Sequence, residues 1–543
     1  MNNRESLNLY NPLFYLLFIM ILGLVLVSCS VEPPQFNNEH KDNNSSSSQK
    51  LEFAPGLAWL NVSRPLLFDD LLGKVVILDF WTYGCINCVH VLADLKRLEK
   101  KYGDQLLVIG VHTPKFDNEK NLETLRNIVV RYGIDHPVVN DIDSTLARVY
   151  GMRAWPTRVV INPAGEVLGK VTGEGKYDLF DQTISKLLTD HKAILDSSTL
   201  PLQLERQRFD ASLLAAPGKI TTSKDFVVIS DTLHNRIILT DHQGFIRKII
   251  GGKTAGYKDG HCSMARFNMP QGVAITENSI YVADTGNHLI RNIDIDECHV
   301  KTIAGNGTLD RKKEGKFDAL SVGLASPWAL ATQGDRLYIA MAGSHQIWLY
   351  NKMTEKIGPY AGSGREGIDD GPLKNSTFSQ PSGLSISGDW LYIADAEDSA
   401  IRRIQLIDKK VETVVGTGLF DFGDRDGKLH QAKLQHVLGI AAHSENRLLI
   451  ADTYNHKVKT IDLNQGTINT VVGDGQPGNS RYTDTLFQLN EPGGLAFLGD
   501  KLLVTDTNNH RIISYDLTTN ISTIWPISET KQPANNSDKK DPD

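Results

Sequence analysis

The chain of 543 residues is 41% hydrophobic and 22% charged, with a formal net charge of −7 and a pI near 6.2. So long a chain exceeds one ordinary core and should divide into at least two domains. The acidic balance offers no basic face for phosphates, which sets nucleic acid aside as a partner.

The first residues differ in texture from the rest. Arg4 stands in a short polar start, an apolar run extends from Leu13 to Val27, and Leu26-Val27-Ser28-Cys29 closes it. This segment resembles a bacterial lipoprotein signal with its lipobox, in which the Cys becomes the first mature residue and carries the lipid. The resemblance implies a signal over residues 1–29, a lipid on Cys29, and an exported chain anchored to a membrane of the bacterial cell envelope. An uncleaved anchor is the other use of such a run, which falls short of the roughly twenty apolar residues a span needs. Residues 30–50 are rich in Asn and Ser, with Ser45 to Ser48 consecutive, and carry too little apolar surface to fold. They read as a disordered tether.

From 51 to 195, strands alternate with helices. The apolar run Val75 to Phe80 predicts a strand, and the segment from Val89 onward carries apolar residues at helical spacing. Between them stands W-T-Y-G-C-I-N-C, Trp81 to Cys88, which puts two thiols three apart where a helix begins. Unpaired N–H groups and the helix dipole at that end favour a thiolate, so Cys85 is the expected nucleophile and Cys88 the resolving thiol. Further on, Gln105 to His112 reads as a strand and Asn118 to Tyr132 as a helix. Arg158 to Asn162 and Val167 to Thr172 read as a hairpin, and Tyr177 to Leu195 as a closing helix.

Trp155-Pro156-Thr157 precedes that hairpin. With the dithiol, it makes this region resemble the thioredoxin superfamily, particularly its exported, membrane-tethered members. The resemblance implies a cis Pro156 beside Cys85 that leaves a backbone edge for a substrate chain. It also places the family's buried acid on Asp79, which moves a proton for the resolving sulfur. Read alone, Asp79 is a strand carboxylate in an apolar run, costly to bury without a role. Ile86-Asn87 replaces the Gly-Pro of thioredoxin itself, so potential and direction do not carry over. No cofactor is implied beyond a redox-active Cys85–Cys88 disulfide, and a lone C-x-x-C lacks the second ligand pair of a zinc site. Thr82-Tyr83-Gly84-Cys85 also matches the T-x-x-C core of peroxiredoxins, which keeps a thiol peroxidase as an alternative. His90 reads as a partly exposed helix histidine without a chemical task.

Beyond Pro201 a phrase of the type A-D-T-x-N-H returns six times. Its second position falls on Asp231, Asp284, Met341, Asp395, Asp452 and Asp506, at intervals of 53 to 57 residues. Each unit holds four short apolar runs, as in 271–275, 279–283, 289–293 and 300–304, the signature of a propeller blade. The phrase and the preceding P-x-G resemble the NHL repeat and predict six blades over 205–527, with a polar tail over 528–543. The phrase residues are expected to satisfy backbone groups and cap neighbouring blades. Asp-Gly steps such as Asp259-Gly260 and Asp370-Gly371 fit turns better than calcium loops. Lactone hydrolysis and amidating-lyase chemistry occur in related propellers but need an axial metal whose ligand set is not evident. Cys262 and Cys298 fall in an inter-blade loop and a hairpin, expected on opposite faces, so they are predicted to stay separate thiols.

The expected fold is therefore multidomain, an α/β thioredoxin-like fold followed by an all-β six-bladed NHL propeller. This order resembles the NHL repeat-containing protein 2 family, whose further C-terminal domain has no counterpart in the tail. The expected activity is thiol:disulfide exchange with protein thiols or disulfides as substrates, with the propeller loop face taking a partner protein or peptide. The alternative is an interaction scaffold whose thioredoxin domain is vestigial or regulatory.

Overall fold

The computed structural model describes residues 53, 56–200, 202–208, 212–480 and 487–529. The signal, Cys29, the tether and the end of the polar tail lie outside the described residues. No described helix is long and apolar enough to cross a membrane.

The first half is built on a six-stranded mixed sheet. Its strands are β1 (Ala58–Leu60), β2 (Val75–Trp81), β3 (Leu106–His112), β4 (Val138–Asn140), β5 (Thr157–Ile161) and β6 (Val167–Thr172), in the order β1-β4-β3-β2-β5-β6. β2 and β3 are parallel and lie at the centre. All fourteen of their residues are buried, as predominantly apolar runs covered on both faces require, with Asp79 and His112 the titratable exceptions. α1 (Ile86–Tyr102) follows the dithiol loop with Cys85 as its N-cap, and ends at Gly103, where φ is 53°. The predicted 118–132 helix splits into a single turn, Asn118–Lys120, and α2 (Leu122–Arg131). Asn121 separates them because its side chain accepts the Thr124 N–H and caps α2. α3 (Thr145–Val149) precedes the cis Trp155–Pro156 bond. α4 (Tyr177–Asp190) stops short of Leu195 because the chain turns back to the sheet: Asp196 N–H donates to the Gly73 carbonyl, and Lys74 Nζ to the carbonyls of Asp196 and Ser198.

The second half is a ring of six blades. Each has four antiparallel strands, the inner ones being Pro217–Thr222, Val273–Ile275, Pro327–Gln333, Pro381–Ser387, Gly439–Ser444 and Pro492–Leu498. Blades two to five gain a fifth, two-residue strand from the preceding loop, at Gly260–His261, Phe317–Asp318, Gly371–Pro372 and Gly427–Lys428. In blade one that outer place is filled from the other end of the chain: Ser528–Glu529, read from sequence as the start of the tail, pairs parallel to the strand Phe245–Gly251. This closes the ring and covers a sheet edge. At the axis, Lys219 is buried and gives its ammonium to the carbonyls of Leu438 and Gly493. Burial pushes its pKa down to about 7.

The prediction for the distal cysteines is corrected by the fold. Cys262 and Cys298 form a disulfide, with Cα atoms 5.2 Å apart. The loop carrying Cys262 runs back along the outer edge of blade two, where Gly260–His261 pairs with the strand His299–Ala304. Cys262 N–H then donates to the Cys298 carbonyl at 2.8 Å, so the two thiols share an edge and not opposite faces.

Candidate active site

The six phrases form one face of the propeller, and their residues divide into two sets. The first set holds blades together. The phrase Asp accepts the N–H two residues before the proline position (Pro217, Pro270, Pro381, Val437 and Pro492) in five blades, at Ala215, Asn268, Ser379, Gln435 and Asn490. The third-position Thr donates to the carbonyl at the next blade's proline position, Thr232 to Pro270, Thr285 to Pro327, Thr453 to Pro492 and Thr507 to Pro217. The sixth residue is in the left-handed conformation and accepts the N–H of the next blade's residue before the proline position. His288, His345, His456 and His510 do so through Nδ1, Asn235 and Ser399 through side-chain oxygen. Burial lowers the pKa of His288 and His456 to about 4, which keeps Nδ1 free to accept.

The second set faces the thioredoxin-like half. It consists of the fourth phrase residue and the residue before the proline position. Glu397 pairs with Lys115, Tyr454 packs on Tyr83 and Phe116, and Asn508 receives a bond from Arg131. Gly343 leaves room for His90, whose Cε1 would lie 2.9 Å from a Cβ added there. Before the proline position, Ser326 bonds to His90, Gln380 to the dithiol loop, His436 packs on Phe116, and Glu491 accepts from Tyr83 and Asn118. Asn118 ties the two sets together, since its Oδ1 also accepts from His456 Nε2 at 2.8 Å. His90, read from sequence as a partly exposed helix histidine without a chemical task, is a structural bridge between halves, from Glu174 to Ser326, with its side chain 8% exposed.

The dithiol lies at this junction. Cys85 is half-buried and Cys88 fully buried, both as free thiols. Burial, and the hydrogen bond its thiol donates to Cys85, raise the Cys88 thiol well above its usual range. Asp79, at the centre of β2, is also fully buried, and neither carboxylate oxygen has a hydrogen-bond partner among the described residues. Burial raises its pKa to about 6, although Arg158 opposes the shift. Arg158 is opposite Asp79 in the sheet register, yet its guanidinium goes to the carbonyls of Gly173 and Gly175 over the Phe180 ring. A negative Asp79 also disfavours the Cys88 thiolate, after burial and the contact with Cys85. Pro156 sits in the cis bond before β5, and Trp155 packs in one cluster with Cys85, Tyr454 and Phe422.

Two residues that sequence reasoning missed hold the loop. Glu119 is buried under it and accepts from Thr82 Oγ1, from Gly84 N–H at 3.1 Å and from Lys115 and Phe116 N–H groups. Gly84 is required there, because a Cβ would lie 2.9 Å from Glu119 Oε1 and 3.2 Å from the Tyr454 hydroxyl. On the opposite side, Gln380 of blade four brackets Cys85: its Oε1 accepts from Ile86 N–H and its Nε2 donates to the Gly84 carbonyl, each at 2.8 Å. Beside this contact, a cavity of about 560 Å³ runs between α1 and blades two and three, lined in part by Ile86, Val89, Met269 and Trp328.

The comparisons with known proteins match this architecture. A thioredoxin-like family model covers residues 73–167, and the NHL repeat model covers 267–291 and 489–513. Human NHL repeat-containing protein 2 is 42% identical over 519 residues, spanning 88% of this chain and 71% of that protein. The chain belongs to the NHL repeat-containing protein 2 family. The chloroplastic protein SUPPRESSOR OF QUENCHING 1 of Arabidopsis thaliana is 43% identical over 498 residues, which are 86% of this chain and 46% of that protein. Over the first half alone, the thiol-disulfide oxidoreductase ResA of Halalkalibacterium halodurans is 34% identical across 105 residues, 19% of this chain and 57% of that protein. Within this family member, the junction built by the phrase residues is where the two domain types meet at the dithiol.

Proposed function

We propose that the protein is a thiol:disulfide oxidoreductase of thioredoxin type, whose propeller holds the dithiol and presents partner proteins to it. The observation that carries this reading is the Cys85–Cys88–Asp79 arrangement: a half-buried thiol at a helix start, a buried thiol, and a buried acid without a hydrogen-bond partner among the described residues. An acid buried at that cost and poised at about 6 suits proton transfer to and from Cys88 near neutral pH. In the forward direction Cys85 thiolate attacks a substrate sulfur, forming a mixed disulfide and releasing one substrate thiolate. Cys88 then gives its proton to Asp79 and attacks Cys85 Sγ, releasing the second thiolate and leaving a Cys85–Cys88 disulfide. Oxidation of a substrate dithiol is the reverse. Thr82 donates its hydroxyl to Glu119, which takes it from the peroxide-holding role and favours exchange over peroxide reduction.

Export and lipid anchoring through Cys29 form part of the proposal. The Leu26-Val27-Ser28-Cys29 segment supports them, and a Cys262–Cys298 disulfide suits an oxidising compartment. The test is a redox titration of the purified chain in dithiothreitol buffers, with alkylation of free thiols read by mass. The proposal predicts that Cys85 and Cys88 oxidise together as one reversible two-electron couple. Independent or irreversible oxidation of the two thiols contradicts it and leaves the scaffold reading.

A further inference from the structure

We infer that Gln380 stands in for one residue of a protein substrate's strand, so that exchange with a protein disulfide requires the propeller to release this contact. The inference rests on the exchange activity proposed above. The Gly84 carbonyl and the Ile86 N–H flank Cys85, and together they are the acceptor and donor that pair with the N–H and C=O of one residue on a parallel neighbouring strand. Ile86 opens α1, whose first N–H groups have no partner inside the helix. A side-chain amide carries the same donor and acceptor as a peptide unit. Gln380 uses both, one on each side of the nucleophile.

The side chain is presented by a fixed support. Gln380 is 5% exposed and has a φ of 64°, with its N–H on His345 Nδ1 at 3.1 Å and its carbonyl accepting the Ser382 hydroxyl at 2.8 Å. The corresponding residue in the other blades is Ala216, Met269, Ser326, His436 or Glu491, so blade four alone places a carboxamide at this position. A protein substrate that brings its disulfide to Cys85 carries backbone beside residues 84–86 and competes with Gln380 for the same two groups. A small aromatic disulfide has no peptide groups and needs neither. Gln380 therefore sets selectivity between these two classes, acting through the backbone around Cys85 and not on the reacting sulfurs.

The experiment compares the full chain with Gln380→Ala and with Gln380→Asn, which keeps the amide but is one methylene too short to bracket Cys85. Reduced protein is given insulin or 5,5′-dithiobis(2-nitrobenzoate), and the ratio of the two exchange rates is read. Loss of two neutral hydrogen bonds predicts a rise of about tenfold in the insulin-to-small-disulfide ratio for both variants. A ratio that is unchanged or falls, while exchange persists, overturns the inference and leaves the exchange activity standing. Absence of exchange with either probe in the wild-type chain overturns that activity and this inference with it.

Discussion

Asp79→Asn should make the protein more stable and less active. Burial moves the Asp79 pKa from 3.8 to about 6. At roughly 1.4 kcal/mol per unit, ionised Asp79 costs the folded state about 3 kcal/mol. The sign follows from linkage. An acid whose folded pKa is raised favours the fold fully below pH 3.8 and loses that contribution as pH rises through about 6. Asparagine keeps the shape and carries no charge at any pH. Urea unfolding of the reduced proteins, followed by tryptophan fluorescence, should show the variant more stable by about 3 kcal/mol at pH 7 and by about 1 kcal/mol at pH 4.5. Resolution of a Cys85 mixed disulfide by Cys88 should slow by about a hundredfold in the same variant, since the proton acceptor is gone. A variant no more stable at pH 7, or a difference that does not shrink on acidification, refutes the reasoning.

Three further outcomes follow from the packing. Glu397→Ala strands the buried Lys115 ammonium at the junction, which should weaken docking of the two halves by about 3–5 kcal/mol and speed proteolysis between them; unchanged cleavage kinetics contradict this. Replacing Cys262 and Cys298 together by Ser opens a link across 36 residues and should lower stability by about 4 kcal/mol, with no effect on Cys85 alkylation. His456 holds the Glu491 N–H and Asn118 while neutral. Its depressed pKa contributes stability fully above pH 6.5, lost as pH falls toward about 4, so His456→Gln should flatten that part of the pH–stability curve.

Much of the molecule is legible in its sequence because both halves are written in strong periodic patterns. β2 and β3 announce themselves as apolar runs, and the six phrases count the blades. The dithiol is visible as a spacing, and Asp79 as an acid inside VVILDFW. What the sequence hides is contact between elements far apart in the chain. Glu119 lies in the polar stretch Lys115 to Asn121, and nothing local distinguishes it from a solvated loop residue. Gln380 is 294 residues from Ile86. The trace of the junction is present nonetheless. The fourth phrase residue and the residue before the proline position vary from blade to blade within an otherwise regular repeat, and several of them meet the first half. The Cys262–Cys298 bond was hidden for another reason: the loop before blade two folds back as an extra edge strand, which the four-strand pattern of a blade does not reveal.

The account stands on Cys85 exchanging disulfides and Cys88 resolving them. The direct measurement is trapping with Cys88→Ser in the full chain, followed by identification of proteins held on Cys85. The account predicts specific mixed disulfides that accumulate in this variant, disappear with Cys85→Ser, and resolve in the wild type. A folded Cys88→Ser protein whose Cys85 reacts with iodoacetamide yet captures nothing contradicts it.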